Sequence, residues 1–511
     1  MRTLLLATLG LLSSACVGPN PWLKAEADDS GTSGDGDGDG DGDGDGAEGD
    51  GDGDGEPTGD GDGEPTGDGD GDDPCNNGEQ DGDETDLDCG GSCAPCDPGA
   101  SCRSEADCAS GVCTANACAA PSCEDGVHNG DELEVDCGGS CRFCEHSGFI
   151  TELDDFVLTN AVVPGVAMYE DGSFVMLYTG YETAEFRLRW FDDLASPLGP
   201  GVELTPDITN PTFGSQTVVV GDVASHEAYT VMSGFDTGGV HRDVFMVERG
   251  PNTPSKHWPI YKGDSPVSHA DMVLDGEIST FVWEQDSKIF LRRRSFGVGD
   301  NEFIDAEPIE VDPGSAQYEG RTPTLARRNG VTVVAWARCP LGESSQCTIA
   351  LRRFDDIWLD LGPTTLPSIA ATARLPQVAV AEDGRIALCF ADFGAQDIWA
   401  AMFDAELQLD DEPWKLQSNI SGTSFTAADV AALADGSFVF AWPDHVDLRV
   451  HIRRFIGPSL PLVTNVGDEA PWPATEEPFW VRISTASNLV VVTWHALFDG
   501  IAQIQGQVLS Y

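Results

Sequence analysis

The sequence predicts an all-β fold, and three observations lead to this prediction. Between residues 146 and 511, short apolar stretches alternate with polar positions, which is the period of a half-buried strand. Asp-Gly and Asn-Gly pairs separate many of these stretches, and such pairs join antiparallel strands through tight hairpins. One order of turn, apolar strand and arginine-rich strand also returns along the region, which indicates a repeat architecture.

The repeats share one frame, in which a hairpin turn leads into a strand with an aromatic residue seven or eight places on. Two weaker copies lie around Tyr229 to Val247 and around Leu489 to Val508. Together they make seven units of roughly 45 to 50 residues, the spacing of the four-stranded blades of a β-propeller. The five clear units are Asp171 to Tyr178, Asp275 to Trp283, Asn329 to Trp336, Asp383 to Phe390 and Asp435 to Trp442.

The ends of the region predict a closed ring of sheets. Most units finish with an extra short strand, as in Ala306 to Val311, whereas the last unit stops at Tyr511 without one. Residues Asp155 to Asn160, which precede the first unit, are expected to supply the missing strand. In this closure the region resembles β-propellers in general. Two β-sandwiches are the alternative, although they would not predict seven copies in one frame.

Twelve of the sixteen cysteines lie between residues 75 and 144, as three four-cysteine units. The spacing of the first unit, Cys-x13-Cys-x3-Cys-x2-Cys, returns in the third. Units this short cannot build a sufficient apolar core, and an even cysteine count in an exported chain predicts disulfides. Zinc bound by the closely spaced pairs is the alternative. The predicted disulfide cysteines are Cys75, Cys89, Cys93, Cys96, Cys102, Cys108, Cys113, Cys118, Cys123, Cys137, Cys141 and Cys144.

Three further cysteines lie in the repeat region. Cys339 and Cys347 flank a short loop between two predicted strands. Hairpin geometry can bring their Cα atoms within the ~4.4 to 6.8 Å that a disulfide requires, so we predict that they are joined. Cys389 lies inside an apolar strand and is expected to be a buried free thiol.

Acidic residues recur in the long loops of the first and third cysteine units. Carboxylates that alternate around a glycine turn, held by a disulfide, would suit Ca²⁺ because this ion takes six to eight oxygen ligands. A solvated acidic turn without a metal is the alternative. The candidate calcium ligands are Asp81, Asp83, Asp86, Asp88, Asp131, Glu134 and Asp136, and no other cofactor is predicted.

The first sixteen residues predict export. Arg2, an apolar run from Leu4 to Leu12 and a few small residues before Cys16 make a secretory signal, and the run is too short to span a bilayer. Ser13-Ser14-Ala15-Cys16 resembles a bacterial lipobox, from which it departs at Ser13, where leucine is usual. The resemblance implies lipidation of Cys16 and, because Val17 is not aspartate, an anchor in the outer membrane.

Residues 34 to 73 are almost wholly Asp-Gly, a composition that cannot bury apolar surface and therefore predicts a disordered linker.

The cysteine loops, with Cys-Gly-Gly-Ser-Cys at 89 to 93 and 137 to 141, resemble the cysteine-rich repeats of predicted lipoproteins of myxobacterial type. That resemblance implies an envelope or secreted protein. The predicted organisation is a signal peptide at 1–15, an anchor and linker at 16–74, a disulfide-rich module at 75–145 and a propeller at 146–511.

Paired arginines recur on the predicted third strands. An anion-binding surface is one interpretation, but their repetition at one place in the frame favours salt bridges or a solvated sheet face. The tryptophans of the second strands lie in apolar stretches, so we expect them in the core. The arginines are Arg292, Arg293, Arg294, Arg352, Arg353, Arg453 and Arg454, and the tryptophans are Trp283, Trp336, Trp442 and Trp494.

The formal net charge is −61, from 27 basic and 88 acidic side chains, which repels phosphate backbones and excludes nucleic acid as a partner. The repeat region contains no Gly-x-Ser-x-Gly, His-Glu-x-x-His or phosphate-loop motif, so no catalytic residue is predicted. We expect an envelope-anchored propeller that binds or adheres to an extracellular polysaccharide or an envelope protein. An extracytoplasmic hydrolase or lyase and a passive structural surface protein are the alternatives.

Overall fold

A computed structural model describes residues 75–146, residue 150 and residues 161–511 with internal gaps, the longest at 419–427 and 456–477. The predictions for residues 1–74, including lipidation of Cys16 and the linker, lie outside the described residues and remain predictions. So does a strand at Asp155 to Asn160. Within the described part, no helix is long and apolar enough to cross a membrane.

Residues 75–145 form the predicted disulfide-rich module. In each four-cysteine unit the first cysteine is joined to the third and the second to the fourth. The module contains a 3-10 helix at Glu105–Asp107 and a short hairpin of β1 (Cys113–Thr114) and β2 (Ala117–Cys118). The disulfides are Cys75–Cys93, Cys89–Cys96, Cys102–Cys113, Cys108–Cys118, Cys123–Cys141 and Cys137–Cys144.

The described strands of the repeat region form seven antiparallel sheets, which confirms the seven-bladed β-propeller. Blade 1 contains β4 (Ala161–Met168), β5 (Phe174–Gly180), β6 (Phe186–Phe191) and β7 (Val202–Leu204). Blade 2 contains β8 (Ile208–Thr209), β9 (Val218–Val220), β10 (Ala228–Asp236), β11 (Arg242–Arg249) and β12 (Lys256–Gly263). Blade 3 contains β13 (Val267–Asp275), β14 (Ile278–Gln285), β15 (Lys288–Ser295) and β16 (Ile309–Asp312).

The second half of the ring repeats this order. Blade 4 contains β17 (Tyr318–Arg328), β18 (Val331–Pro340), β19 (Thr348–Phe354) and β20 (Asp360–Thr365), and blade 5 contains β21 (Ala373–Val380), β22 (Ile386–Asp392), β23 (Asp397–Phe403) and β24 (Trp414–Gln417). The described strands of blade 6 are β25 (Asp429–Ala432), β26 (Phe438–Asp444) and β27 (Arg449–Phe455). Blade 7 contains β28 (Pro478–Ala486), β29 (Leu489–Phe498) and β30 (Ile501–Ser510).

The sheet of blade 7 is completed by a strand from the disulfide-rich module. This strand, which we label β3 (Cys144–Glu145), pairs with β30 through Cys144 and Ser510. Closure by a segment N-terminal to the first blade is therefore as predicted; among the described residues β3 supplies it, and Asp155 to Asn160 lie outside them. The Cys137–Cys144 disulfide holds the closing strand in place, so the module and the ring share one structural element.

The core lies between neighbouring blades. Trp283, Trp336, Trp442 and Trp494, all on second strands, are almost completely buried, which confirms their prediction as core residues. An indole of this kind removes on the order of 150–250 Å² from water, an upper estimate of about 4–6 kcal/mol of stabilisation.

The hairpins between first and second strands tie neighbouring blades together. Arg328 contacts Glu382 of the next blade at 2.9 Å, and Arg385 donates to the carbonyl of Gly436 at 2.7 Å. Ser487 of blade 7 donates to the carbonyl of Glu170 in blade 1 at 3.1 Å, across the point where the ring closes.

The predicted third-strand arginines also make structural contacts, within a blade or with the disulfide-rich module. Arg293 pairs with Asp305 at 2.7 Å, and both side chains are largely buried. Arg454 pairs with Asp435 and also donates to the carbonyl of Gly139 in the disulfide-rich module. These contacts support salt bridging rather than an anion-binding surface on the third strands.

The structure also joins Cys339 to Cys347, with their Cα atoms 4.1 Å apart. Among the described cysteines Cys389 alone is a free thiol, and burial raises its pKa well above the ordinary value.

Candidate functional site

The first strands of all seven blades enclose a central channel. The channel contains a cavity of about 400 Å³, whose wall includes apolar side chains such as Val166, Val220 and Val378. A concave space that combines apolar side chains with a few well-placed polar groups is the usual form of a binding site. The polar groups of the channel therefore decide what it can do.

Five polar residues occupy one register position on the first strands of blades 3 to 7. Each of them pairs with the residue directly before the buried aromatic of its second strand, as Asp271 does with Val282 and Thr324 with Ala335. The five residues, which we call the polar belt, are Asp271, Thr324, Gln377, Asp429 and Arg482, and all of them line the channel cavity.

The two aspartates of the polar belt bind the backbone of the following blade. Asp271 accepts hydrogen bonds from the amide of Leu325 at 3.0 Å and from the hydroxyl of Thr324 at 2.9 Å. Asp429 accepts a hydrogen bond from the amide of Ile483 at 2.9 Å. A buried carboxylate that accepts backbone hydrogen bonds is well satisfied, so both residues help to hold neighbouring blades at a fixed distance.

Asp429 is electrostatically unusual. Burial raises its pKa to about 6, and the negative charge of Asp271 adds to the increase. Arg482 and the backbone amides of Val430 and Ile483 act in the opposite direction. The channel wall thus holds a carboxyl group that exchanges a proton close to neutral pH.

A set of β-bulges lies on the first strands beside the polar belt, towards the channel end opposite the hairpins. On four blades the bulge holds a residue other than glycine at positive φ, a conformation rarely adopted by residues with a Cβ. Strain of this kind costs on the order of 1–3 kcal/mol per residue and concentrates at functional sites. The residues are His269 (φ 48°), Thr322 (φ 47°), Leu375 (φ 51°) and Trp480 (φ 43°).

Several charged and polar residues lie at or beside these bulges, at this end of the first strands. We call the set the channel mouth: Ser268, His269, Arg321, Thr322, Arg374, Leu375 and Trp480, with Glu284 and Glu319 behind them. Nδ1 of His269 lies 3.1 Å from Glu284, which also accepts a hydrogen bond from the amide of Thr322 at 3.2 Å. Oγ of Ser268 is 3.2 Å from the same Nδ1, so the two contacts use one ring nitrogen and do not form a proton relay.

Two arginines occupy equivalent places in the channel mouth, each directly before a bulge residue. Arg321 donates to Glu319 through Nε at 2.9 Å and Nη2 at 2.6 Å. Burial lowers the pKa of Arg374, the positive charge of Arg321 lowers it further, and Glu319 raises it. The guanidinium of Arg374 also lies 5.9 Å from the ring of Phe393. The two side chains therefore share one electrostatic environment.

The candidate calcium ligands lie in the disulfide-rich module, away from the channel residues in sequence. Both carboxylate oxygens of Asp88 accept hydrogen bonds from the amide of Gly78, and Asp136 does the same with Gly126. Among the described residues, the groups with metal-ligand spacing contain at most one carboxylate each, together with disulfide-bonded cysteines.

The remaining candidate ligands also have hydrogen-bond partners or are exposed. Asp81 accepts from Asn77, Asp83 from Ser92, Asp86 from the amide of Ser101 and Asp131 from Ser140, whereas Glu134 is exposed. The same hydrogen bonds lower the pKa of Asp83, Asp86 and Asp131. Hydrogen bonds from within the module thus occupy most of these carboxylates, as in an acidic turn without a metal. Calcium binding remains a prediction.

The sequence did not indicate the channel mouth or the polar belt. Their residue types differ from blade to blade, so these positions show no repeated residue in the sequence. A usable signal was the spacing from the Asp-Gly or Asn-Gly hairpin back along the first strand. Asp271 and Thr324 each lie four positions before the ends of their strands, at Asp275 and Arg328.

No family model and no curated protein matches the chain. Among solved structures it is similar to a Penicillium chrysogenum α-L-arabinanase complexed with arabinobiose, with 10% identity and a TM-score of 0.39 over 72% of this chain and 98% of that one. It is also similar to the GH93 α-L-arabinofuranosidase of Fusarium graminearum with arabinobiose, with 9% identity and a TM-score of 0.39 over 73% and 98%.

A third similar structure is a puromycin-hydrolysing peptidase of Mycobacterium tuberculosis, with 14% identity and a TM-score of 0.43 over 71% of this chain and 56% of that one. At these values the similarities carry no argument about activity. The propeller assignment rests on the seven sheets of the described residues.

Proposed function

We propose that this chain is a lipid-anchored protein of the bacterial outer membrane whose propeller binds a polysaccharide at the channel mouth. The anchor is proposed from the lipobox-like sequence that ends at Cys16. An oxidising, extracytoplasmic location agrees with the seven disulfides of the described residues.

The observation that carries the binding proposal is the set of four strained bulges around one end of the channel. Neighbouring contacts must hold each of these residues at positive φ, and such conformations persist where function needs a side chain in one place. The four bulge positions carry a histidine, a threonine, a leucine and a tryptophan, and the threonine and the leucine each directly follow an arginine. Polar hydrogen-bonding groups next to apolar and aromatic surface fit the alternating hydroxyl and C–H faces of a sugar.

A hydrolase is the second candidate, and Asp429 is the observation that favours it. Glycosidases generally use a pair of carboxyl groups, one of which must be protonated at working pH. Asp429 has a pKa of about 6 and lines the channel together with Asp271. Binding is nevertheless the better supported function, because both carboxylates accept backbone hydrogen bonds that hold blades together.

A glycan panel with product analysis tests the proposal. The purified full chain is incubated with each polysaccharide, and retention and released sugars are measured together. We expect retention without products, reduced at least about tenfold in His269→Ala and unchanged in the control Asn329→Ala, whose residue lies on a hairpin at the opposite end of the channel.

Two results would count against the proposal. If no glycan is retained, the channel mouth is not a polysaccharide site. If sugars are released and Asp429→Asn stops the release while the protein stays folded, the chain is a hydrolase.

A further inference from the structure

We infer that the channel mouth recognises a polysaccharide with carboxylate groups, such as a polyuronate, through Arg321 and Arg374. This inference rests on the proposed function and adds the chemical class of the ligand. Its basis is the equivalent register position of two arginines on the first strands of adjacent blades.

The positions of the two arginines are equivalent. Arg321 lies three residues before Thr324 of the polar belt, and Arg374 lies three residues before Gln377. They pair with Ala337 on β18 and with Ala391 on β22, and the β-bulge follows in both strands. Two adjacent blades therefore carry an arginine at the same backbone position, just before the bulge.

Both arginine side chains are partly buried and partly exposed to solvent. The Arg321 side chain is 41% exposed, whereas its partner Glu319 is only 6% exposed. Removing like charges from water and placing them near each other is unfavourable unless an anion compensates for it. Glu319 supplies such an anion for Arg321, since its oxygen Oε1 accepts both described bonds from that arginine. A ligand carboxylate that reaches the channel mouth would place a further negative charge beside the two arginines.

Other arginines of the ring show a different arrangement. Arg293 lies beside Asp305, and Arg385 lies beside Asp383. Both pairs lie outside the channel mouth, on a third strand and on a hairpin. The mouth differs in having two arginines at equivalent register positions on adjacent first strands. Arginine also suits carboxylate recognition because its planar fork forms two parallel hydrogen bonds.

The large negative charge of the chain does not rule out an anionic ligand. At physiological ionic strength, charges on exposed groups more than ~8 Å apart are largely screened. Attraction at the mouth therefore depends on its nearby charges, which are Arg321 and Arg374 beside Glu284 and Glu319, more than on the net charge of the chain.

The test compares a charged glycan with its neutral form. The full chain is titrated with polygalacturonate, alginate and fully methyl-esterified pectin, whose backbone matches polygalacturonate but carries no carboxylate. We expect at least tenfold tighter binding to one of the two polyuronates than to the ester, with affinity falling as NaCl is raised. Arg321→Gln combined with Arg374→Gln should lower that affinity by about tenfold to hundredfold.

The matched control is Arg328→Gln. This arginine lies on the same strand as Arg321, at the hairpin end, where it pairs with Glu382. The control should bind as the unmodified chain does. Single Arg321→Gln, a change at a partly exposed side chain, keeps the test decisive if the double variant does not fold.

The outcomes separate the two proposals. Equal affinity for the charged and esterified glycans, lost in His269→Ala, would leave the polysaccharide site in place and overturn the carboxylate inference. Tight polyuronate binding that the arginine variants do not weaken would also overturn it. If none of the three glycans binds, the inference fails, and the wider glycan panel decides whether the proposed function fails with it.

Discussion

At the residue scale, the channel owes its character to side chains that the repeat frame does not specify. The frame fixes an Asp-Gly or Asn-Gly hairpin and an aromatic residue, and the structure places the buried aromatics Trp283, Trp336, Trp442 and Trp494 as the sequence predicts. Thr322 and His269 could not be foreseen as mouth residues, because a bulge with positive φ at a residue other than glycine leaves no mark in a single sequence.

Asp429 gives a pH-dependent prediction at this scale. Its pKa is about 6 in the folded protein and about 3.8 in an ordinary setting, so the fold disfavours its ionised form. The folded protein therefore loses stability as pH rises from about 4 to about 6, by roughly 3 kcal/mol for this group. Below about pH 4 the group is protonated in both states and contributes no such loss.

The variant Asp429→Asn isolates this effect because the amide does not ionise. We expect the difference in unfolding free energy between variant and unmodified chain to shift by about 3 kcal/mol in favour of the variant from pH 4 to pH 7. Denaturant unfolding at a series of pH values measures it. A difference that stays constant over this range would show that the carboxyl has an ordinary pKa.

At the element scale, the hairpins were predictable and the closing strand was not. Asp-Gly and Asn-Gly turns act through local chemistry, so the sequence located the hairpins with few errors, and Gly172 and Gly436 have the positive φ that such turns need. The closing strand β3 has two residues, one of which is the last cysteine of the module. A strand of two residues shows no hydrophobic periodicity. The sequence analysis therefore predicted the closing strand at Asp155 to Asn160.

The Cys137–Cys144 disulfide is expected to stabilise the propeller as well as the module. Removing it with Cys137→Ala and Cys144→Ala should free β3 from its position beside β30 and lower the stability of blade 7, by about 2–4 kcal/mol. The matched control removes Cys102–Cys113, which lies in the same module but carries no strand of the ring.

Trp494, buried in blade 7, reports on this change. Unfolding followed by tryptophan fluorescence should show a lower midpoint for the Cys137/Cys144 variant than for the Cys102/Cys113 variant. Equal midpoints would mean that the module disulfide does not support ring closure.

At the scale of the whole molecule, the proposed anchor and linker would hold the propeller, as a binding domain, outside the cytoplasm. The linker between Cys16 and Cys75 is predicted to have a reach of ~40 Å as a flexible chain. An anchored protein that binds a polymer gains from such reach, because the bound polymer remains close to the membrane.

Cys16→Ser tests the anchor in the native host. The variant cannot be acylated, so it should move from the membrane fraction to the soluble fraction, while a conservative change at the following residue, Val17→Ala, should leave the protein in membranes. Immunoblots of separated fractions measure the distribution. A membrane fraction that is unchanged in Cys16→Ser would exclude the lipid anchor.

The central claim, that the channel mouth is the binding site, is tested most directly by hydrogen exchange of the full chain with and without a bound glycan. We predict slower exchange in peptides that contain residues 268–269, 321–322, 374–375 and 480, and no change in the hairpins at 329–330, 383–384 and 435–436. Protection confined to those hairpins or to the disulfide-rich module, with the mouth unchanged, would contradict the claim.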